Sequence, residues 1–419
     1  MKQCWKTYKL GGLVKVKGGK RLPKGISLQI APNTHPYIRI RDMGKSRVLE
    51  LDATYEYVDD VTQKSIARYV VDEGDILLSI VGTIGLVGIV GKSLHQANQT
   101  ENCVKLVNLN GIDPLFLYYF LLSPKGQEEI KRGTVGAVQA KLPIKNIENI
   151  EISLPPLEEQ RRIAGILGAI DDKIENNRRI NTNLELQAQA LYKQWFVDFE
   201  FPNEESKPYK SSGGKMVDSE LGQIPDGWSV QTISDISVRI ASGGTPKSLN
   251  ESYYNGEIKW FTTKELKDCF LIDSDKHIST EALNDSAAKL FPKNTILMAI
   301  YAAPTVGRLG ILTAESTFNQ AAVGIVVKEE IGHLFVYLTL LAERENLNNL
   351  ASGAAQQNLN VGIVKQYKLI VPTKKLLIEF NQIAGSLFER IKVVSNENKT
   401  LATLRDTLLP KLMNGEIKL

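Results

Sequence analysis

Two long segments of the chain carry apolar residues at alternating spacings of four and three, which is the pattern of a coiled-coil helix. The first follows Leu154-Pro155-Pro156 and begins at Leu157, with acidic residues in its first turn, where they suit the helix dipole. The second runs from about Lys375 to Leu412. A helix of roughly 40 residues spans about 60 Å, so the sequence predicts two long helices.

Asparagine interrupts the apolar stripe of both helices. The first stripe comprises Ile163, Leu167, Ile170, Ile174, Asn177, Asn181, Leu184, Ala188, Leu191 and Trp195. The second comprises Ile383, Leu387, Ile391, Val394, Asn398, Leu401, Leu408 and Leu412. Because such polar helices are marginal unless their stripes are covered, and buried asparagine fixes register, we expect an antiparallel coiled coil with its asparagines close together. Asparagines that face solvent or a partner are the alternative.

The rest of the chain is an internal repeat of β-branched runs punctuated by Gly, Pro and Asn, which predicts irregular sheets with a few helices. A shift of about 220 residues aligns Gly74–Ile80 with Asn294–Ile300, Gly82–Gly88 with Pro304–Gly310, Asn98-Gln99 with Asn319-Gln320, and Ile163–Gly165 with Ile383–Gly385. A β-rich domain followed by a long helix therefore occurs twice. The predicted fold is α+β with a pseudo-twofold repeat.

These patterns predict five segments along the chain. They are a first β-rich domain over 1–156, a central helix over 157–200, a linker over 201–220, a second β-rich domain over 221–372 and a distal helix over 373–419. The stretch from Phe201 to Lys215 is rich in turn residues and has little to bury, which is typical of a linker.

Composition excludes several classes of protein. The 419 residues are 43% hydrophobic and 23% charged, which indicates folded domains. The three cysteines form no CxxC pair, and the longest apolar run, Ile76–Val90, is interrupted and too short for a bilayer span. The N-terminus lacks the apolar stretch of a signal peptide. We therefore expect a cytoplasmic protein with reduced thiols, no bound metal and no membrane partner.

Motifs for catalysis are also missing from the sequence. There is no GxGxxG after a strand, no P-loop, no HExxH and no Asn-Pro-Pro-aromatic signature of amino-methyltransferases. Asp72, Asp75 and Glu101 lie near lysines, but no spacing marks them as a metal nuclease site. We predict no catalytic residues in this chain.

The net charge is only +4, but positive charge is concentrated near the N-terminus. Residues 1–47 contain twelve Lys and Arg against the single acid Asp42, a basic surface of the kind that neutralises phosphates. A solvated surface is the alternative. The candidate DNA contacts in this segment are Lys15, Lys17, Lys20, Arg21, Arg39, Arg41, Lys45 and Arg47.

The second domain offers turn glycines with exposed amides, hydroxyls and lysines, which are common phosphate ligands. These candidates are Ser242, Gly243, Gly244, Thr245, Lys247, Lys259, Trp260, Thr262, Thr263 and Lys264. In the first domain Tyr37–Asp42 corresponds to Lys259–Lys264, and its arginines can read guanine. The first domain lacks a clean counterpart of Ser242–Pro246, and Gly18-Gly19-Lys20 stands in its place.

Turns and side-chain amides complete the candidate set with Thr83, Gln139, Thr305, Arg308, Gln356 and Gln357. Amides can read adenine edges or brace turns. Because Asn-Gln recurs at Asn98-Gln99 and Asn319-Gln320, in two domains that should meet different DNA sequences, a structural or phosphate-binding role is favoured over base reading. The same caution applies to the three glutamines of the set.

The whole chain resembles the specificity subunits of type I restriction-modification systems. The resemblance is carried, in order, by Leu154–Gln160 (LPPLEEQ), Ser242–Pro246 (SGGTP) and Leu404–Leu412 (LRDTLLPKL), although Val371–Lys374 lacks the fuller motif of the first repeat. It implies two target-recognition domains that each read half of a split, asymmetric DNA site. The helices would act as a ruler for the unread spacer, with Leu184–Leu191 as the segment where its length varies.

The resemblance also implies partners for this non-catalytic chain. Two modification subunits would methylate adenine with S-adenosylmethionine, and restriction subunits would translocate and cut DNA with ATP and Mg. No cofactor is expected in the chain itself. The alternative is a coiled-coil assembly scaffold that binds proteins, which would show little salt-dependent binding to duplex DNA.

Overall fold

The computed structural model describes residues 5–136, 138–301, 305–350 and 358–419. The chain divides into two compact units, Met1–Asn177 with Asn398–Leu419 and Arg178–Glu397. The division falls within both long helices, whereas the sequence pattern assigned each helix to a segment of its own. Residues of each long helix belong to the hydrophobic cores of both units. The helices are therefore not structural segments separate from the β-rich domains.

The first unit combines three sheets with short helices and parts of the two long ones. Its strands are β1 (Lys6–Lys9), β2 (Lys15–Gly18), β3 (Pro36–Ile38), β4 (Val48–Leu49), β5 (Glu56–Tyr57), β6 (Ile76–Ser79), β7 (Val87–Val90), β8 (Asn98–Gln99), β9 (Cys103–Val107) and β10 (Glu151–Leu154). Its helices are α1 (Asp60–Ile66), α2 (Pro114–Leu122), α3 (Pro124–Gly133), α4 (Ile144–Glu148) and the first part of α5 (Leu157–Tyr192). The sheet orders are β2-β9-β6-β7-β4, β5-β3-β8 and β1-β10.

The second unit repeats this plan. Its strands are β11 (Met216–Ser219), β12 (Gly222–Pro225), β13 (Ser229–Thr232), β14 (Ser237–Ser242), β15 (Ile258–Phe261), β16 (Cys269–Leu271), β17 (Lys276–Ile278), β18 (Ile296–Ala299), β19 (Leu309–Leu312), β20 (Thr317–Phe318), β21 (Ala322–Val327) and β22 (Lys368–Val371). Its helices are α6 (Thr280–Asn284), α7 (His333–Ala342), α8 (Arg344–Leu350), α9 (Val361–Gln366) and much of α10 (Lys374–Met413). The sheet orders are β14-β21-β18-β19-β16, β17-β15-β20 and β13-β22, with β11-β12 in addition. The predicted α+β internal repeat is confirmed.

The long helices pair within the first unit through polar side chains. Arg405 Nη1 on α10 donates to Asp171 Oδ1 on α5 at 2.8 Å. Asn177 Nδ2 donates to Asn398 Oδ1 at 3.0 Å. Residue numbers therefore rise along α5 as they fall along α10, which confirms the predicted antiparallel pairing and the meeting of the two asparagines.

The same antiparallel pairing holds within the second unit. Asn181 Nδ2 donates to Ser395 Oγ at 2.9 Å, and the ring centroids of Tyr192 and Phe380 are 6.4 Å apart. A polar layer here again gives way to an apolar one, as the stripe pattern predicts.

Burial agrees with most of the predicted seam. Ile163, Leu167, Ile174, Asn177 and Val394 are buried. The half-buried seam positions are Ile170, Leu184, Leu191, Leu387, Asn398, Leu401 and Leu408.

The prediction for Ile383 is wrong, because 45% of this residue is exposed. Phe380, Ala384, Phe388 and Ile391 form the buried face of this part of α10. Ile383 precedes Ala384 by one residue, and one residue turns a helix by about 100°, so a face centred on Ala384 leaves Ile383 at its exposed margin.

The stretch expected to be a bare linker is packed. The Phe201 ring stacks with those of Tyr209 and Trp228 at centroid distances of 4.5 and 5.2 Å. The β11–β12 hairpin then crosses residue 220, where the predicted linker ends. The aromatic side chains Phe201 and Tyr209 therefore suffice to fix the predicted linker against the second unit.

Each unit has a core that includes a long helix. In the first, Phe116 on α2 packs with Leu10, Ile163 and Leu412. In the second, Phe335 on α7 packs with residues that include Trp195, in a π-helical turn over Lys193–Val197. Within the described ranges, no helix is apolar over a length that would cross a membrane.

Candidate nucleic-acid interface

Four chain segments meet along one edge of the first unit. Lys20 N–H donates to Gln99 O at 3.1 Å, Ile80 N–H donates to Asn102 O at 2.8 Å, and Leu142 N–H donates to Ile80 O at 3.0 Å. These bonds join residues 18–21, 99–102, 80–86 and 135–136 with 138–142, a surface that we call the first loop edge. It brings together Lys20, Arg21, Thr83 and Gln139 of the candidate set.

The second unit repeats these bonds. Gly244 N–H donates to Phe318 O, Ile300 N–H donates to Ala321 O, and Leu359 N–H donates to Ile300 O, each at 2.9 Å. We call residues 242–245, 300–301 with 305–308, 318–321 and 358–359 the second loop edge. Its matching bonds make the two edges comparable residue by residue.

This comparison corrects the sequence alignment of the Asn-Gln pairs. In β8, Asn98 is the partner of Tyr37, and in β20, Thr317 is the partner of Trp260. Counting onward, Thr100-Glu101 rather than Asn98-Gln99 corresponds to Asn319-Gln320. The predicted match was wrong by two residues, because a shared dipeptide is weaker evidence of equivalence than strand register.

The corrected register separates two roles. Asn98 and Gln99 are buried, at 0% and 1% exposure, and Asn98 Nδ2 donates to Gln63 Oε1. Their burial agrees with the structural role favoured from the sequence. Gln320 is exposed on the second loop edge, so the structural role assigned to Asn98 and Gln99 does not extend to Gln320.

An ion pair stands at the surface of the first loop edge. Arg21 Nε donates to Glu101 Oε1 at 2.6 Å, while 81% of the Arg21 side chain is exposed. Burial opposes ionisation of Glu101, but hydrogen bonds led by that from Arg21 outweigh it, so its pKa lies below the ordinary value. Glu101 is therefore an ionised carboxylate when it binds Arg21. Nearby, Lys20 Nζ lies 5.7 Å from the centre of the Tyr69 ring.

The second loop edge carries neutral groups at the same position. Thr245 Oγ1 donates to Gln320 Oε1, and both residues are exposed.

The remaining candidates of the second loop edge are less prominent. Thr305 Oγ1 donates to Tyr301 O at 3.2 Å, and Arg308 is half-buried. Gln356 and Gln357 lie outside the described residues.

The predicted exposure of the glycine amides is wrong. Gly243 and Gly244 are buried, and their N–H groups donate to Ala322 O and Phe318 O. A Cβ on Gly243 would lie 2.1 Å from Phe318 O. Close backbone approach therefore requires these glycines, and their amides are already used within the protein.

Gly19 occupies the equivalent place in the first unit. Its N–H donates to Cys103 O at 3.2 Å, and a Cβ there would lie 2.1 Å from Thr100 O. The expectation that Gly18-Gly19-Lys20 stands in place of the Ser242–Pro246 motif agrees with this geometry.

Several candidates of the second unit support the fold. Trp260 is buried, and its Nε1 donates to Gly244 O at 2.9 Å. Thr262 N–H donates to Glu265 Oε2 at 2.7 Å, and Lys259 Nζ donates to the carbonyl of Ile272. In the same segment Thr263 is half-buried, whereas Lys264, like Lys247 on the preceding loop, is exposed.

Two arginines of the first unit share one acid. Arg39 Nη2 lies 2.5 Å and Arg41 Nη2 lies 3.1 Å from Glu56 Oε2. Arg39 N–H also donates to Asp42 Oδ2 at 2.7 Å, as Thr262 does to Glu265 in the second unit. The predicted correspondence of Tyr37–Asp42 with Lys259–Lys264 is therefore wrong by one residue, because strand register pairs Tyr37–Asp42 with Trp260–Glu265.

Arg47 is placed against α5 and not at a loop edge. It forms an ion pair with Asp172 and donates to Gly168 O at 3.1 Å, with 17% of its side chain exposed. Counting Lys and Arg in residues 1–47 could not reveal Asp172 as the partner of Arg47, because the two residues are 125 positions apart in the sequence. By contrast, Lys15, Lys17 and Lys45 are exposed.

A cluster that the sequence did not suggest lies between α2, α5 and α10 in the first unit. Tyr119 Oη donates to Asp171 Oδ2 at 2.7 Å, on the same carboxylate that accepts from Arg405. Only the tertiary contact brings these three residues together. Among the described residues, no three His, Cys, Asp or Glu side chains are placed to hold a metal ion.

A family model described as the type I restriction modification DNA specificity domain matches residues 2–186 and 225–402. The chain belongs to this family. Each matched segment of the specificity family contains one of the two loop edges. The family is defined by DNA specificity, which is a non-catalytic role within a type I restriction-modification system.

Named relatives extend over the full chain. The type I restriction enzyme HindI specificity subunit of Haemophilus influenzae is 26% identical, over 99% of this chain and 99% of its own length. The MjaIX specificity subunit of Methanocaldococcus jannaschii is 27% identical, over 99% and 94%. A solved type I restriction-modification S subunit from M. genitalium has a TM-score of 0.58 at 17% identity, covering 98% of this chain and 96% of its own, and therefore shares the fold.

Proposed function

We propose that this chain selects the DNA sequence on which a type I restriction-modification complex acts. Each unit reads one half of a split, asymmetric site, and the long helices set the length of the unread spacer. The observation that carries the proposal is the loop edge, which is built twice on the same backbone hydrogen bonds but presents Arg21 and Glu101 once and Thr245 and Gln320 the other time. One backbone design with different polar groups suits two different half-sites.

The partners of the proposal supply all of the covalent chemistry. Two modification subunits, using S-adenosylmethionine, methylate adenine within the selected site, and restriction subunits, using ATP and Mg, translocate and cut unmodified DNA. Membership of the specificity family supports this division of labour. The chain itself contributes recognition and acts in the cytoplasm, where the DNA is.

Charge supports unequal roles for the two recognition domains. Residues 1–156 contain 21 Lys and Arg against 15 Asp and Glu, whereas residues 221–372 contain 13 against 15. Because phosphate neutralisation releases counterions, the first domain should supply most of the salt-dependent attraction. Lys15 and Lys17, exposed on the edge strand β2, are candidates for that contact.

The test is to co-express the chain with its modification subunit and to map methylated adenines in the host DNA. A two-part motif with a fixed gap, absent when the chain is omitted, is the expected result. A stable complex with an active partner but no such motif would refute DNA selection and favour the scaffold alternative. Little binding to duplex DNA at any salt concentration would argue for the scaffold as well, whereas a steep loss of binding with rising salt marks the DNA reader.

The spacer is tested separately. Insertion of four residues into Leu184–Leu191, which lies within α5, should lengthen the unread gap and leave both half-sites unchanged. An unchanged gap in a variant that still methylates would contradict the ruler.

A further inference from the structure

The two loop edges place different polar pairs at one equivalent position. Lys20 N–H binds the carbonyl of Gln99, and Gly244 N–H binds that of Phe318, so Arg21 and Thr245 are the next residues on equivalent loop segments. Ile80 N–H binds Asn102 O and Ile300 N–H binds Ala321 O, so the residues before these acceptors, Glu101 and Gln320, also correspond. In both units the paired side chains touch each other across the same gap.

The pair of the first unit is arranged to present a guanidinium. Glu101 occupies Nε of Arg21, and neither Nη group has a partner within the described ranges. The two Nη groups point two N–H donors in one plane, the arrangement that matches O6 and N7 of guanine in the major groove. Because Glu101 limits the side chain's freedom, less entropy is lost when Arg21 binds.

The pair of the second unit is arranged to present an amide. The Thr245 hydroxyl occupies one lone pair of Gln320 Oε1 and fixes the orientation of the amide. Its Nε2 has no partner in the part of the chain that the structure describes. An amide with one acceptor and one donor side by side matches N6 and N7 of adenine.

We propose that this position determines base specificity in both half-sites, with Arg21 reading a guanine for the first unit and Gln320 reading an adenine for the second. Glu101 and Thr245 are positioning residues. The inference rests on the proposed function and adds to it the residues that choose the base. The same contacts would also be present if the two pairs only stabilised the loops. The test therefore measures base preference, which a purely structural role would not change.

The experiment exchanges the pairs in the full chain, co-expressed with the modification subunit, and maps methylated sites. R21T/E101Q should lose its preference for guanine at one position of one half-site, by about tenfold or more. T245R/Q320E should replace an adenine by guanine at one position of the other half-site. In both variants the remaining positions and the spacer should stay unchanged. K64Q removes an exposed positive charge on α1, outside the four segments of the first loop edge, and should keep the wild-type motif.

A single substitution guards against failure to fold. R21K keeps the charge and the length of the side chain but lacks the planar pair of donors, so the guanine preference should fall while the complex assembles normally. Wild-type preferences in all three variants would overturn the inference. Methylation that weakens equally at every sequence would also overturn it, because it would indicate a phosphate contact or a structural role. Absence of any two-part motif with the wild-type chain would instead refute the proposed function.

Discussion

Asp171 and Asp172 are neighbours on α5 that each bind an arginine, yet their removal should affect the first unit very differently. Asp171 accepts from Tyr119 and Arg405, and 11% of its side chain is exposed. Asp172 accepts from Arg47, and 68% of its side chain is exposed. We predict that Asp171→Ala destabilises the unit strongly and Asp172→Ala only slightly.

The magnitude follows from burial. Removing one partner of a fully buried pair costs about 3 to 5 kcal/mol, whereas exposed pairs contribute about 0 to 1 kcal/mol. Arg47 is itself only 17% exposed, but it keeps Gly168 O as an acceptor at 3.1 Å, so the loss of the exposed Asp172 carboxylate stays near the second range. Arg405 is 30% exposed and keeps Asp406 as a partner at 2.8 Å, which lowers the first figure. Burial and the hydrogen bond to Asp171 raise the pKa of Tyr119, so its hydroxyl is protonated and would lose its acceptor. We expect a loss of about 2 to 3 kcal/mol for Asp171→Ala and of less than about 1 kcal/mol for Asp172→Ala.

Hydrogen exchange followed by mass spectrometry is the suitable assay, because it reports on one unit without assuming two-state unfolding of the whole chain. Amides of α2 and of the middle of α5 should exchange about 30- to 150-fold faster in Asp171→Ala, as the free-energy loss requires. In Asp172→Ala they should change less than about fivefold. Equal acceleration in the two variants would refute the argument from burial.

Three further predictions concern other parts of the fold. Asn177→Leu combined with Asn398→Leu should cost less stability than the sum of the single changes, because each single change leaves a polar partner behind; additive losses in urea unfolding would contradict this. Gly243→Ala should destabilise the second unit by about 1 to 3 kcal/mol, since its Cβ would meet a backbone oxygen at 2.1 Å. Gly165→Ala, in α5 with nothing within 4 Å, should stabilise by about 0.5 to 1 kcal/mol, and melting curves with reversed signs would exclude this explanation. Burial and, secondarily, a nearby lysine lower the pKa of His333 to about 4. Because the unfolded histidine titrates near 6.5, the second unit should lose up to about 3 kcal/mol as pH falls from about 6.5 to 4. His333→Gln should flatten that dependence in acid titrations of unfolding, and an unchanged slope would count against it.

Linear patterns predicted the helices and the repeat because both are recorded in the order of residues along the chain. The four-three stripe of α5 follows from helix geometry alone, and it marked Ile163, Leu167 and Ile174 correctly. The stripe was misread where two registers competed, at Ile383 and Ala384. Neighbouring apolar residues satisfy either register, and only packing against α5 selects one.

The candidate site shows the same limit. Residue type and local charge identified Arg21 and Thr245 as candidates. These properties could not show that Arg21 and Thr245 lie at equivalent positions of the two units, or that Glu101 and Gln320 are their hydrogen-bond partners. The shared Asn-Gln dipeptide instead pairs Gln320 with the buried Gln99. Strand pairing between distant segments sets that register, and no local pattern encodes it.

The sequence by itself determined the class of fold, the two long helices, the doubled architecture and the family. It did so because periodicity, internal similarity and motif order are properties of the linear chain. The tertiary structure decided which charges are available. It assigned Arg47 to Asp172 and Arg39 to Glu56, buried the glycine amides, and left Arg21 and Gln320 exposed at equivalent places. Electrostatic and hydrogen-bond partners are chosen by distance in space, and folding sets that distance between residues far apart in the sequence.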